Sequence, residues 1–237
     1  MKGLKLYQLL IVMVTALCLV HGQVHADTLI LQPDVEFSVN TEPVNTPPWM
    51  TATFEDSGTN TVRLTMAADN LAGTEFISKW FFNFAGDATV LEFAYIGGSS
   101  TGPQYSDVYT GETNNTKADG DGYYDIGFYF PTASGSRFGA GDTVVYDITS
   151  AGITASSFNL FSTPGGGNGT YLTAAHVQGI APDSVTGLCG DGSDPVSGTC
   201  SGWVGTTTVV PEPISATLFI AGGAALGFRR FRKKIKK

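Results

Sequence analysis

The sequence predicts an all-β fold, an antiparallel β-sandwich of jelly-roll-like or immunoglobulin-like type, with a C-terminal transmembrane helix behind it. Three observations carry this. Apolar and polar residues alternate with a period of two in several short windows. Turn-rich breaks separate those windows, in a chain with 30 Gly and 11 Pro among 237 residues. Between residues 27 and 210 no window keeps a capped helical stripe, whereas residues 214–228 are apolar almost throughout and run into a basic tail.

In chain order, residues 1–26 read as a secretory signal peptide. Lys2 and Lys5 precede an apolar run, residues 6–20, broken only by Gln8 and Thr15. Val24-His25-Ala26 then places small residues at the −3 and −1 positions, so cleavage is expected between Ala26 and Asp27. A retained N-terminal anchor is the competing reading.

Residues 27–210 are the expected β-sandwich domain. In 61–66, Val62, Leu64 and Met66 face one way while Thr61, Arg63 and Thr65 face the other. In 76–84, Phe76, Trp80, Phe82 and Phe84 share a face, opposite Lys79 and Asn83. In 123–130, Tyr124, Ile126, Phe128 and Phe130 alternate with Asp125, Gly127 and Tyr129. Segments 89–96, 143–149 and 169–180 add further strands, for roughly six to ten in all. Turns are expected at Asp56-Ser57-Gly58, 97–102, 114–122, 134–141 and 164–169.

Cysteine usage agrees with export. Cys18 lies inside the signal, which leaves Cys189 and Cys200 as a pair bracketing a polar loop. A disulfide closing about a dozen residues contributes on the order of 3 kcal/mol in the chain-entropy account. Two free thiols or half a metal site are the alternatives.

Residues 211–237 read as a terminal anchor. An apolar helix over residues 214–228 would extend roughly 22 Å, short of a ~30 Å hydrocarbon core, so flanking Arg and Lys must snorkel. Arg229, Arg230, Arg232, Lys233 and Lys234, followed by Lys236 and Lys237, form the basic stop and bias that end to the cytoplasm. A plain tail anchor without processing is the competing reading.

Charge excludes one class of partner. The chain has 13 basic residues, but two lie in the signal and seven in the tail. Only Arg63, Lys79, Lys117 and Arg137 remain in the domain, against 20 acidic residues, so the whole-chain charge of −8 conceals a domain near −16. Such a surface repels nucleic acid and anionic lipid.

The densest polar cluster is Asp119-Gly120-Asp121-Gly122-Tyr123-Tyr124-Asp125. Asp119, Asp121 and Asp125 are weak calcium candidates at positions 1, 3 and 7 of an EF-hand-like count. Tyr123 at position 5, Gly122 at position 4 and Phe130 at position 12 depart from that pattern. A hairpin turn feeding a strand with a solvated Asp125 explains the same residues. Asp191 and Asp194 invite the calcium reading still less. His176, the one histidine after the signal, is expected on a strand, hydrogen-bonded to backbone. No catalytic residues are assigned, no metal centre and no cofactor, because no nucleophile elbow, zinc-protease, P-loop or dinucleotide motif occurs. Paired carboxylates of a hydrolase would have to arise from the abundance of acids. For sugar stacking, Trp49 and Trp203 are the candidates for exposure, Trp80 for burial.

The order Val210-Pro211-Glu212-Pro213, apolar span, basic stop resembles the PEP-CTERM sorting signal of Gram-negative bacteria. The resemblance implies export across the inner membrane and transient anchoring there. An exosortase-type membrane peptidase would then process the chain at Pro-Glu-Pro. It also implies a cell-surface or extracellular destination linked to exopolysaccharide and biofilm matrix. Segments 124–128, 137–141 and 174–180 are similar to segments common among such exported proteins, over roughly residues 50–182. The expected function is a non-enzymatic surface or matrix protein; the alternatives are a carbohydrate-binding module and a secreted glycan-active hydrolase.

Overall fold

The computed structural model describes residues 27–99, 107–110, 114, 116–119, 121–167 and 169–210. The signal through Ala26, the Pro211-Glu212-Pro213 motif, the apolar span and the basic stop lie outside the described residues. Among the described residues no helix is long and apolar enough to cross a membrane.

The fold is all-β and sandwich-like. Its strands are β1 (Thr28–Leu31), β2 (Val35–Glu36), β3 (Thr51–Gly58), β4 (Thr61–Ala67), β5 (Phe76–Phe82), β6 (Glu92–Gly98), β7 (Asp107–Thr110) and β8 (Thr116–Lys117). There follow β9 (Gly122–Tyr124), β10 (Ile126–Tyr129), β11 (Phe138–Gly139), β12 (Thr143–Thr149), β13 (Thr163–Pro164), β14 (Thr173–Ile180), β15 (Cys200–Gly205) and β16 (Val209–Val210). A six-stranded sheet has the order β16-β1-β3-β4-β12-β6. A seven-stranded sheet has the order β2-β15-β14-β5-β10-β7, with β11 also beside β5. A small third sheet, β13-β9-β8, completes the set, and the pairings are antiparallel throughout.

The two large sheets share one apolar core. Phe54, Leu64, Met66 and Ile148 enter it from the first sheet, Trp80, Phe82, Phe128 and Val177 from the second. Strands β4 and β12 alternate buried and half-buried residues along their whole length, as strands with one face to the core must. Strands β5 and β14 are buried on both faces almost throughout. The aromatics interlock at preferred angles, with Phe54 stacked on Phe158 at 4.2 Å and Phe82 edge-on to Phe128 at 5.9 Å.

Several local expectations are corrected. At Asp56-Ser57-Gly58 the chain does not turn: β3 continues through Gly58 with an irregularity between Asp56 and Gly58, and reverses at Thr59-Asn60, where Asn60 has φ 60°. Segment 89–96 divides into a 3-10 turn at Ala88–Val90 and β6. Segment 123–130 divides at Asp125, so Tyr124 joins a second small core while Ile126, Phe128 and Phe130 join the main one. Asp125 is buried, not solvated, and accepts hydrogen bonds from the backbone N–H groups of Phe84 (3.0 Å) and Asn114 (2.8 Å).

The correction with the largest consequence is in β5. His176 pairs with Lys79, but Val177 pairs with Ile77, so Ser78 is an extra residue. The bulge inverts the period of two. Ile77 and Trp80 face the main core, and Phe76 moves with Lys79 to the outer face. Asn83, expected on the open face, is buried and donates to the Leu160 carbonyl at 3.3 Å.

Candidate functional site

The outer face of the seven-stranded sheet gathers the features that could recognise a ligand. Strand register sets Trp203, His176, Lys79 and Tyr129 abreast on four neighbouring strands. Beside them run Ser201, Gln178, Phe76 and Gly139. His176 stacks on Trp203 at 4.9 Å, and its Nδ1 lies 2.9 Å from Ser78 Oγ. The ring is thus on a strand as expected, but its partner is the bulged serine and not backbone. Burial, with Lys79 beside it, holds the His176 pKa down at about 4, so the ring is neutral at pH 7.

Three of the four basic side chains of the domain lie over aromatic rings. Lys79 Nζ is 5.8 Å from the Tyr129 centroid and 5.9 Å from that of Trp203. Lys117 Nζ is 5.2 Å from Tyr123, and Arg137 Cζ is 4.1 Å from Phe76. The fourth, Arg63, is on the other large sheet and makes the one ion pair among the described residues. It grips Asp147 with Nε at 2.8 Å and Nη2 at 2.9 Å.

A groove of about 550 Å³ with mixed polar and apolar lining opens where Arg137, Phe76, Gln178 and Ser201 meet Asn40 and the loop closed by Cys189–Cys200. The disulfide is formed as the sequence led us to expect. Ser193, Asp194, Val196, Ser197 and Thr199 make its far wall. Two contacts seat that wall. Gly190 donates to Thr41 Oγ1 at 2.8 Å, and a Cβ on Gly190 would strike the Asn40 carbonyl oxygen. The neighbouring loop is also braced: Glu36 Oε1 accepts from Ser38 N at 2.9 Å and Asn40 N at 3.3 Å. Between them Val39 has φ 56°, a left-handed conformation costly for a β-branched residue.

The candidates named from sequence fall elsewhere or are differently disposed. Trp49 is 1% exposed, in the main core, and Trp203 is 6% exposed beneath His176. Neither is an open sugar platform, whereas Trp80 is buried as expected. Asp119 is exposed, Asp125 caps two backbone N–H groups, and Asp121 is fully buried with no hydrogen-bond partner for either oxygen among the described residues. Burial alone pushes the Asp121 pKa up to about 6. Among the described residues no three His, Cys, Asp or Glu converge to hold a metal ion. Asp191 is held down in pKa by its hydrogen bonds from Ser193, and Asp194 lines the groove.

Sequence reasoning missed Arg137, Phe76 and Lys79 as a group. Alternation alone sends Phe76 inward, and only the cross-strand register reveals the bulge that turns it out. Neither a family model, nor a curated protein, nor a solved structure matches the chain.

Proposed function

We propose that this is an exported surface or extracellular-matrix protein, sorted and processed through its C-terminal Pro-Glu-Pro signal, which associates with exopolysaccharide and catalyses no reaction. In this reading the C-terminal apolar span is a transmembrane helix that anchors the chain in the inner membrane until an exosortase-type peptidase acts. The domain is a jelly-roll-like or immunoglobulin-like sandwich that reaches the surface.

One observation supports the reading: the first and last described strands pair beside the two expected processing points. β1 begins at Thr28, directly after Asp27, and β16 includes Val210, the last described residue and the first of the expected sorting motif. The two strands pair, Ile30 with Val210 and Leu31 with Val209, so both ends leave one edge of one sheet. Asp27 and Val210 line a common shallow groove with Ser156 and Asn159.

The carbohydrate-binding reading is supported by the cations held over rings and the hydroxyl- and amide-lined groove, not by Trp49 or Trp203. For a hydrolase the same groove offers a single described carboxylate, Asp194, where glycosidase chemistry uses two. Mass spectrometry of the surface form tests the route. The expected product starts at Asp27 and lacks the Arg- and Lys-rich tail; a surface form ending at Lys237 overturns the processing claim.

A further inference from the structure

The Arg137 side chain is the most preorganised uncommitted cation of the domain. Its guanidinium lies over the Phe76 ring at 4.1 Å, and its Nε donates to the Thr132 carbonyl at 2.8 Å. The ring contact and the Nε bond hold the guanidinium at two points. No carboxylate of this acidic domain pairs with it among the described residues, although Asp194 lines the same groove. The contrast with Arg63, which spends two donors on Asp147, is direct. An arginine held this way, with no Nη hydrogen bond among the described residues, presents the fork that takes a carboxylate through two parallel hydrogen bonds.

The rest of the groove selects among carboxylates. Asn40, Gln178, Ser197, Thr199 and Ser201 supply amides and hydroxyls, the groups that pair with sugar hydroxyls. At about 550 Å³ the groove is of ligand-binding size. The domain's charge near −16 opposes an acidic polymer as well, so recognition rests on the local fork and the hydroxyl contacts, with the longer-range repulsion reduced beyond the ~8 Å screening length at 0.15 M salt. Resting on the polysaccharide reading above, we infer that the Arg137 groove is a subsite for a uronic acid residue of an acidic polysaccharide. The guanidinium edge takes the carboxylate, and Gln178, Ser201 and Asn40 meet the ring hydroxyls.

The test is titration of the purified full-length chain, in detergent and with a chelator present, against four polymers: polygalacturonate, its methyl ester, dextran sulfate and neutral galactan. Polygalacturonate should bind at least about tenfold more tightly than the others, because a charge-assisted fork contributes this much or more. Arg137→Ala should lose about tenfold or more, and Arg137→Lys should recover only part of it, having charge without a fork. Asp194→Asn should bind more tightly by removing a like charge, and gives an independent measure if an Arg137 variant folds poorly. Retention of the Cys189–Cys200 bridge in each variant reports an intact groove wall. Equal binding of the methyl ester or of dextran sulfate, or wild-type affinity in Arg137→Ala, overturns the uronate subsite and leaves polysaccharide association standing. Failure of all four polymers to bind removes the polysaccharide reading itself.

Discussion

Phe81 and Phe82 are neighbours on β5, both buried, and they face different interiors. Phe82 points into the core between the two large sheets, where Phe54, Trp80 and Phe128 surround it. Phe81 points outward into a smaller cluster with Tyr124, Trp203 and Tyr129, lidded by the three-stranded sheet. The inner core is contributed by long strands paired over many residues. The outer one mixes rings with Lys79, His176 and the orphaned Asp121. The difference teaches where stability resides and where, in the proposed reading, recognition does. Apolar packing against a second full sheet holds the fold, while the outer side keeps polar groups that packing alone would not select.

The sharpest test of this contrast is the pair of alanine variants. Phe82→Ala should cost about 3–5 kcal/mol in urea unfolding, the range for a large ring lost from a rigid core. Phe81→Ala should cost less, because a small sheet can settle into the space, and should loosen hydrogen exchange in β8 and β9 first. Equal costs and uniform exchange would erase the distinction. Next in size, replacing both Cys189 and Cys200 by Ser should cost about 3 kcal/mol, the value for a short closed loop. It should weaken groove ligands more than it disturbs the main core.

Smaller effects come from titration, and their signs oppose. Asp121 has its folded pKa raised from 3.8 to about 6, so its folded form holds the extra proton and its contribution to stability falls as pH rises from about 4 to 6. His176 has its folded pKa lowered from 6.5 to about 4, so its contribution falls as pH drops through that same window. In the native chain these two contributions should therefore oppose each other between about pH 4 and 6. Asp121→Asn should be more stable at pH 7 by on the order of 1–2 kcal/mol and should lose stability on acidification, with His176 unopposed. His176→Gln should show the reverse slope. Parallel profiles in the two variants would contradict the burial of both groups. The smallest effect belongs to Arg63→Ala: a bidentate pair on an open sheet face should shift unfolding little, and less still in high salt.

Much of the inner core was legible in the sequence because it obeys a local rule. In β4 and β12 the period of two is unbroken, and Val62, Leu64, Met66 and Val144 are buried as the pattern requires. The disulfide was legible because Cys189 and Cys200 are the two cysteines after residue 26. The outer face was not. One inserted residue, Ser78, reverses the facing of Phe76, and nothing in residues 76–84 marks it; the bulge exists only relative to β14. Trp49 follows two prolines and looks exposed in sequence, yet its indole N–H donates to the Asn45 carbonyl and its ring fills the main core. Asp125 reads as a solvated strand residue because its partners, Phe84 and Asn114, are 41 and 11 positions away. Long-range register and capping are properties of pairs, and a single sequence displays only one member at a time.

On the proposed export route, the Cys189–Cys200 bridge also bears on survival outside a cell. The loop it closes is the kind of polar, exposed segment that proteases nick first, with Asp191, Ser193, Asp194 and Val196 all open to solvent. A cut anywhere from 190 to 199 would leave both new ends tethered at the bridge, and β15 would still begin at Cys200 beside β14. Single-site cleavage would then appear as a mobility change only after reduction, and one strand-forming fragment would not part from the other. A groove walled by such a loop can age by nicking without being shed.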